Sequence, residues 1–166
     1  MVKDEEPSQW LWVPLAAAIS LTVPGMIALV THRVFLFASL GPTAITIAQQ
    51  PTHPSARPYN TLVAHAVGFA MAVAFVFAFG LAHAPSVFMV HEVSGARLAA
   101  SVLAIAIATL LELALRAKHP PAASTTLLVT LGSFRPTWGD TLLVLGGVVM
   151  VTTVSEVLRR IRLQRG

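Results

Sequence analysis

Two short runs carry the residue types with which a protein can hold a small anion without a fixed charge. The first is Ser39-Leu40-Gly41-Pro42-Thr43; the second is His119-Pro120-Pro121-Ala122-Ala123-Ser124-Thr125-Thr126. In each, proline stands where a helix would begin. Its φ is already near the helical value and it has no amide hydrogen to leave unpaired, so it suits a first turn and damages a helix interior. A helix start exposes backbone amides and a partial positive charge, and both attract anions. Gly41 and Ala122 let a ligand approach the backbone, while Ser39, Thr43, Ser124 and Thr125 offer hydroxyl donors. His119 adds a group that is either a neutral donor or a cation near physiological pH. These seven residues are the candidate substrate-binding set. Arg57, Lys118 and Arg135 flank the runs as candidate entrance or electrostatic residues. The same small residues also serve close helix packing in membranes, and the same basic residues serve topology or snorkel to the interface, so both readings stand at this stage.

Other chemistry finds less support. The chain has no cysteine, which removes thiolate catalysis, disulfides and cysteine metal sites. His32, His53, His83 and His91 lie near expected loops without the His-Glu helical spacing of zinc enzymes, so no metal site is expected. No nucleophile stands at recognisable spacing from a base and no carboxylates pair at one depth, so the chain does not read as an enzyme, and no cofactor is expected. Glu112 and Arg116 lie four apart and read first as a helical ion pair, as do Glu156 and Arg160. His65 sits five residues into an apolar helix and receives no role.

The elements that must position these runs belong to a membrane. The residues are 55% hydrophobic and 11% charged, with net charge +4 and mean hydropathy +0.75, whereas a soluble domain averages about 25% charged. No Asp, Glu, Lys or Arg occurs from Pro7 to His32, from Val34 to Ala56 or from Pro58 to His91. Such gaps match the roughly 20 apolar residues that cross a bilayer. The first residues lack the basic region of a removable signal peptide, so the first apolar segment is expected to remain. Trp10, Trp12 and Trp138 fall at expected span ends as interface anchors, and Gly68, Gly146 and Gly147 are expected to allow close helix approach.

The chain also reads as written twice. At an offset of about 80 residues, Gly41-Pro42-Thr43-Ala44 falls on Pro120-Pro121-Ala122-Ala123, Arg57-Pro58 on Arg135-Pro136, and Asn60-Thr61-Leu62 on Asp140-Thr141-Leu142. Each half, about 8–83 and 95–160, reads as a long helix, a short helix opening at proline, an Arg-Pro turn and a second long helix capped by Asn60 or Asp140. The segment from His83 to Arg97 reads as the linker. The expected fold is an all-α membrane protein in a single domain: four long transmembrane helices, Trp10 to Thr31, Asn60 to Ala82, Leu98 to Leu115 and Thr141 to Leu158, plus two short interrupted or re-entrant ones.

If the short segments, Val34 to Gln50 and Pro120 to Phe134, also cross, three spans per half make two inverted repeats, an arrangement that places transporter sites near the midplane. Basic residues favour the cytoplasmic side. Six crossings put Lys3, Arg57, Arg116, Lys118, Arg159, Arg160, Arg162 and Arg165 inside against Arg33, Arg97 and Arg135 outside, eight to three. Four crossings put Lys3, Arg97 and the same four tail arginines inside, with Arg33, Arg57, Arg116, Lys118 and Arg135 outside, six to five. Charge prefers six, although runs of about 16 residues span only with extended portions buried in protein.

Residues Lys118 to Thr126, together with Leu36-Phe37-Ala38-Ser39-Leu40-Gly41-Pro42-Thr43-Ala44 and Pro54-Ser55-Ala56-Arg57-Pro58-Tyr59-Asn60, resemble three signature blocks of the HPP family of small integral membrane proteins, over nearly the whole chain. The family is usually described with four spanning helices, and some plastid and cyanobacterial relatives are associated with nitrite transport. The resemblance thus implies a multi-pass inner (plasma) membrane transporter or channel for a small inorganic anion, nitrite first, and the arginine-rich tail puts the termini on the cytoplasmic side in either count. A non-transporting anchor or sensor module acting through partner proteins is the alternative. The expected partners are the lipid bilayer, a small inorganic anion and further copies of the chain in a homo-oligomer that helps bury the short segments, not nucleic acid.

Overall fold

The computed structural model describes residues 7–165, and Lys3 lies outside them. Among the described residues seven helices follow one another: α1 (Pro7–Thr31), α2 (Leu40–Gln49), α3 (Pro58–Ala78), α4 (Val87–Val90), α5 (Gly95–Ala114), α6 (Ala122–Thr130) and α7 (Trp138–Arg165), with a 3-10 turn at Pro54–Ala56. No strand occurs among the described residues. Four helices, α1, α3, α5 and α7, are long and apolar enough to cross a membrane. No more than 39% of any of their most apolar windows is buried inside the protein, and the outward faces carry Trp10, Leu29, Val30, Leu98, Leu110 and Trp138. Lipid is the solvent that suits such faces.

Local chemistry sets the helix ends. Pro58 occupies the first turn of α3 after the extended Arg57, so that helix starts two residues before Asn60. The Asn60 amide, expected as a cap, instead donates to the carbonyls of Arg116 and Lys118, each at 3.2 Å. Asp140 is likewise not a cap but the third residue of α7, where its carboxylate accepts from the Arg135 amide at 2.6 Å. Helices α3, α5 and α6 end in left-handed residues, Gly80, Arg116 and Gly132. In each case the next amide reaches back to a carbonyl in the helix's last turn: Leu81 to Val76, Ala117 to Glu112 and Ser133 to Leu128, all at 2.8 Å. This turn removes Arg116 from the helical register, so the expected Glu112–Arg116 ion pair does not form. Glu156 does pair with Arg160 at 2.7 Å and with Arg159 at 2.6 Å.

Contacts between distant residues order the passes of the chain. At one end the Arg162 guanidinium lies 5.7 Å over the Trp12 ring, Ser155 donates to Ser20 at 2.9 Å, and Arg159 donates to the Pro51 carbonyl at 2.8 Å. The start of α1, the end of α7 and the turn after α2 therefore share that end. So do the start of α3 and the end of α5, since the Tyr59 hydroxyl donates to the Leu115 carbonyl at 3.0 Å. At the other end the Val87 amide donates to the Leu131 carbonyl at 3.1 Å, and Arg97 donates to the Thr130 carbonyl at 2.6 Å. The chain thus runs from end to end six times, four times as continuous helix and twice as a broken pass. In the first broken pass residues 33–37 descend extended to mid-depth beside Gly146 and Gly147, and α2 completes the crossing. In the second, residues 117–119 run extended and α6 completes it in the opposite sense. Each half has the order long, broken, long, and the halves run in opposite directions.

The third helix of each half packs across onto the other half. Helix α3 lies mainly against α5 and α6, and α7 against α1 and α2. A Cβ on Gly68 would stand 3.2 Å from the Ala122 carbonyl oxygen, and one on Gly147 would stand 2.8 Å from that of Phe35. Glycine at these two positions lets each broken pass lie directly on a helix of the other half. Between them the apolar core gathers Phe37, Leu40, Phe69, Phe134, Val144 and Val148, with the Phe37 and Phe134 rings edge to face at 5.3 Å.

The chain's lack of native cysteine makes this order testable. Single cysteines at the exposed positions Thr52, Lys118 and Gln164 are expected to react with an impermeant maleimide from one side, and one at Ser133 from the other. Labelling of position 118 from the side opposite position 164 would contradict the six passes.

Candidate functional site

The two broken passes meet through side chains at their helix starts. Ser39, at the foot of the first extended stretch, lies with its Oγ 2.8 Å from Thr125 Oγ1, one turn into α6. Thr43, one turn into α2, donates to the Ser39 carbonyl at 2.9 Å. His65, from the middle of α3, bridges the two starts: its Nε2 is 2.9 Å from Thr43 Oγ1 and its Nδ1 2.7 Å from Thr125 Oγ1. His119, on the second extended stretch, places Nδ1 2.8 Å from the Ser55 carbonyl and Nε2 3.4 Å from Thr43 Oγ1. The imidazole centroids are 5.3 Å apart. All five residues have 0% of their surface exposed. Five hydrogen-bonding side chains with no formal charge among them therefore form a closed knot where the passes cross.

Of the candidate binding residues, the structure brings Ser39, Thr43, His119 and Thr125 together. Ala122 is buried beside them, with its carbonyl against Gly68. Gly41 and Ser124 are only partly buried and lie outside the hydrogen-bonded cluster. The backbone also differs from expectation. The amides of Ala122, Ala123 and Ser124 already donate to the carbonyls of His119, Pro120 and Pro121 at 2.9, 3.2 and 3.1 Å, and that of Thr43 donates to Ser39 at 3.3 Å. The proline turn supplies these acceptors, so the start of α6 is capped by its own chain and side chains are the available donors.

Arg57 and Lys118 are exposed at the end holding both described helix termini, and Arg135 is exposed at the opposite end. Lys118 lines a cavity of about 300 Å³ with Glu112, His119 and Pro120. Arg135 lines one of about 780 Å³ with His83, Ser133, Asp140 and Arg97. Arg97 is 3% exposed and donates to three carbonyls, those of Thr130, Ala84 and Pro85 at 2.6, 3.0 and 2.8 Å. The supposed linker from His83 to Arg97 is thus folded onto the end of α6. Inward from Arg97, Ser101 donates to Thr130 at 2.8 Å, and Thr126 lies one turn below on α6. Buried polar side chains therefore run in file from the larger cavity through Thr130 and Thr126 to the central knot, and on to His119 and the smaller cavity.

Sequence reasoning left out His65 and Arg97. Nothing in a lone histidine within an apolar helix marks it as central, and Arg97 reads as a loop charge until the linker closes over it. Among the described residues no three His, Asp or Glu side chains converge. A family model described as HPP, transmembrane region, matches residues 2–166. No curated protein and no solved structure matches the chain.

Proposed function

The chain belongs to the HPP transmembrane family, and from that premise we propose that it is a membrane transporter for a small inorganic anion, nitrite first, with its site at the central knot. The observation that carries this reading is the meeting of the two broken passes through Ser39, Thr43, His65, His119 and Thr125. Hydroxyl and imidazole donors select an anion through hydrogen bonds without the cost of a bare lysine at depth. Each can turn from its neighbour to the ligand, so the knot is the occluded arrangement and the two cavities are its approaches from either end. Arg97 and Arg135 give the larger approach the positive field that draws an anion in. A non-transporting anchor would use the same hydroxyls and imidazoles only as hydrogen-bonding glue between its helices, and flux through the protein distinguishes the two. Nitrite itself is supported by the family resemblance alone.

The location follows the same logic. Arg57, Arg116, Lys118, Arg159, Arg160 and Arg162 gather at the end holding the described termini, against Arg33, Arg97 and Arg135 at the other. We therefore assign the first end to the cytoplasm; the plasma (inner) membrane is proposed on the family resemblance alone.

Two substitutions that each remove one hydroxyl test the site. Thr43→Val removes a hydroxyl inside the knot, and Ser124→Val removes one just outside it. In proteoliposomes Thr43→Val is expected to lower nitrite exchange about tenfold, the equivalent of one lost hydrogen bond. Ser124→Val is expected to stay within about twofold of the parent. Equal flux in both well-folded variants would move the path away from the knot.

A further inference from the structure

The hydrogen bonds of the central knot can be followed proton by proton, and they leave one place vacant. The Ser55 carbonyl can only accept, so the neutral His119 ring carries its single hydrogen on Nδ1, donated over 2.8 Å. Thr43 has one hydroxyl hydrogen and three neighbours: the Ser39 carbonyl at 2.9 Å, His65 Nε2 at 2.9 Å and His119 Nε2 at 3.4 Å. The carbonyl again can only accept, and with that hydrogen on it, along the 2.9 Å contact, both imidazole nitrogens can bond Thr43 only by donating. His65 does so as a neutral ring: Nε2–H donates to Thr43, and Nδ1 accepts from the Thr125 hydroxyl, which accepts in turn from Ser39. His119 cannot, because its Nε2 then turns a lone pair toward the lone pair of Thr43. Rotating the Thr43 hydroxyl toward His119 would exchange a 2.9 Å bond for a 3.4 Å one.

We propose that His119 Nε2 binds one proton with each anion, so that the protein carries proton and anion in the same direction as a neutral pair. This rests on the anion reading above. The added proton completes the knot, giving Thr43 two donors and one acceptor. A fully buried imidazolium without a counter-charge is costly, so the proton stays only while an anion sits beside it. Binding forms one N–H bond at Nε2. Release on the far side breaks that bond, the proton leaves with the anion, and the lone pair returns.

The titratable and charged groups around His119 are few. Helices α2 and α6 have none, α3 contributes His65 and Tyr59, and α5 contributes Glu112 near its end. Glu112 shares the 300 Å³ cavity with Lys118 and His119, and meets the backbone amide of His119 rather than its ring. Exposed His53, Arg57 and Arg116 lie on the adjoining turns, and the Glu156–Arg159–Arg160 group on α7 is paired within itself. His119 Nε2 is therefore the vacant nitrogen inside the knot, and the cavity beside Glu112 is its approach from the end holding the termini.

The test uses nitrite as probe. Added to the purified protein in weakly buffered detergent with a pH dye, nitrite is expected to draw about one proton from solution per anion bound, and none in His119→Gln. In proteoliposomes, net nitrite uptake above that of protein-free vesicles is expected to ignore a potassium–valinomycin potential. Nitrite binding without proton uptake, or net uptake that follows the potential, overturns the coupling and leaves the anion reading standing. Proton uptake that persists in His119→Gln overturns the assignment to His119. Absence of both nitrite binding and nitrite exchange in the parent protein overturns both readings. The stoichiometry and voltage response of the parent protein decide the coupling even if the variant fails to fold.

Discussion

Replacing His65 with leucine is expected to cut nitrite exchange at least about tenfold and to cost roughly 2 to 4 kcal/mol of stability. Its two ring nitrogens hold Thr43 Oγ1 at 2.9 Å and Thr125 Oγ1 at 2.7 Å, and through them the starts of α2 and α6. Leucine fills similar space but leaves both hydroxyls short of a partner in a site with no exposed surface. A buried polar group without a partner costs about 1 to 3 kcal/mol. Thermal unfolding in detergent and tracer exchange in vesicles measure the two effects separately. His65→Gln returns a donor and an acceptor and is expected to recover most of the stability.

The second large effect is at a position that never touches the knot. Gly147→Ala is expected to cost about 1 to 3 kcal/mol, as overpacking of a tight interior does, and to lower the yield of folded protein. Its new Cβ would stand 2.7 Å from the Phe37 ring and 2.8 Å from the Phe35 carbonyl oxygen. The backbone oxygen cannot give way as a side-chain end can, so the first extended stretch must lift off α7. Gly146→Ala is the control, since its nearest neighbour is the Phe35 ring at 3.3 Å, and that ring can shift. Comparable melting temperatures for the two alanine variants would contradict the close approach.

What the sequence revealed, and what it hid, follows from how far each signal reaches along the chain. The four long helices were legible because each is a long apolar run, free of charge in α1 and α3 and charged only toward its ends in α5 and α7, and the breaks were legible because Pro42, Pro120 and Pro121 mark helix starts by their own geometry. The ends of α3 and α6 carry glycine in the left-handed turn, but α5 turns at Arg116, so helical spacing from Glu112 suggested an ion pair that the turn dissolves. In the hydroxyl run Ser124-Thr125-Thr126 one residue is a rotation of about 100° on a helix. That rotation puts Thr125 in the knot and Ser124 at its edge. His65 acquires meaning only when α3 of the first half lies on α6 of the second, a contact about 60 residues apart in sequence that no local pattern encodes. Arg97 was hidden for the same reason, since its three acceptors come from the folded linker and the end of α6.

The central claim is that a small anion passes through the hydroxyl and imidazole knot where the two broken passes meet. It is tested most directly by tracer nitrite exchange in vesicles holding the purified protein, with equal nitrite on both sides so that neither voltage nor a pH gradient drives the flux. The account predicts saturable exchange well above that of protein-free vesicles, strongly reduced in His65→Leu and Thr43→Val and retained in Ser124→Val. Exchange no faster than in protein-free vesicles, or equal in all three variants, would contradict it.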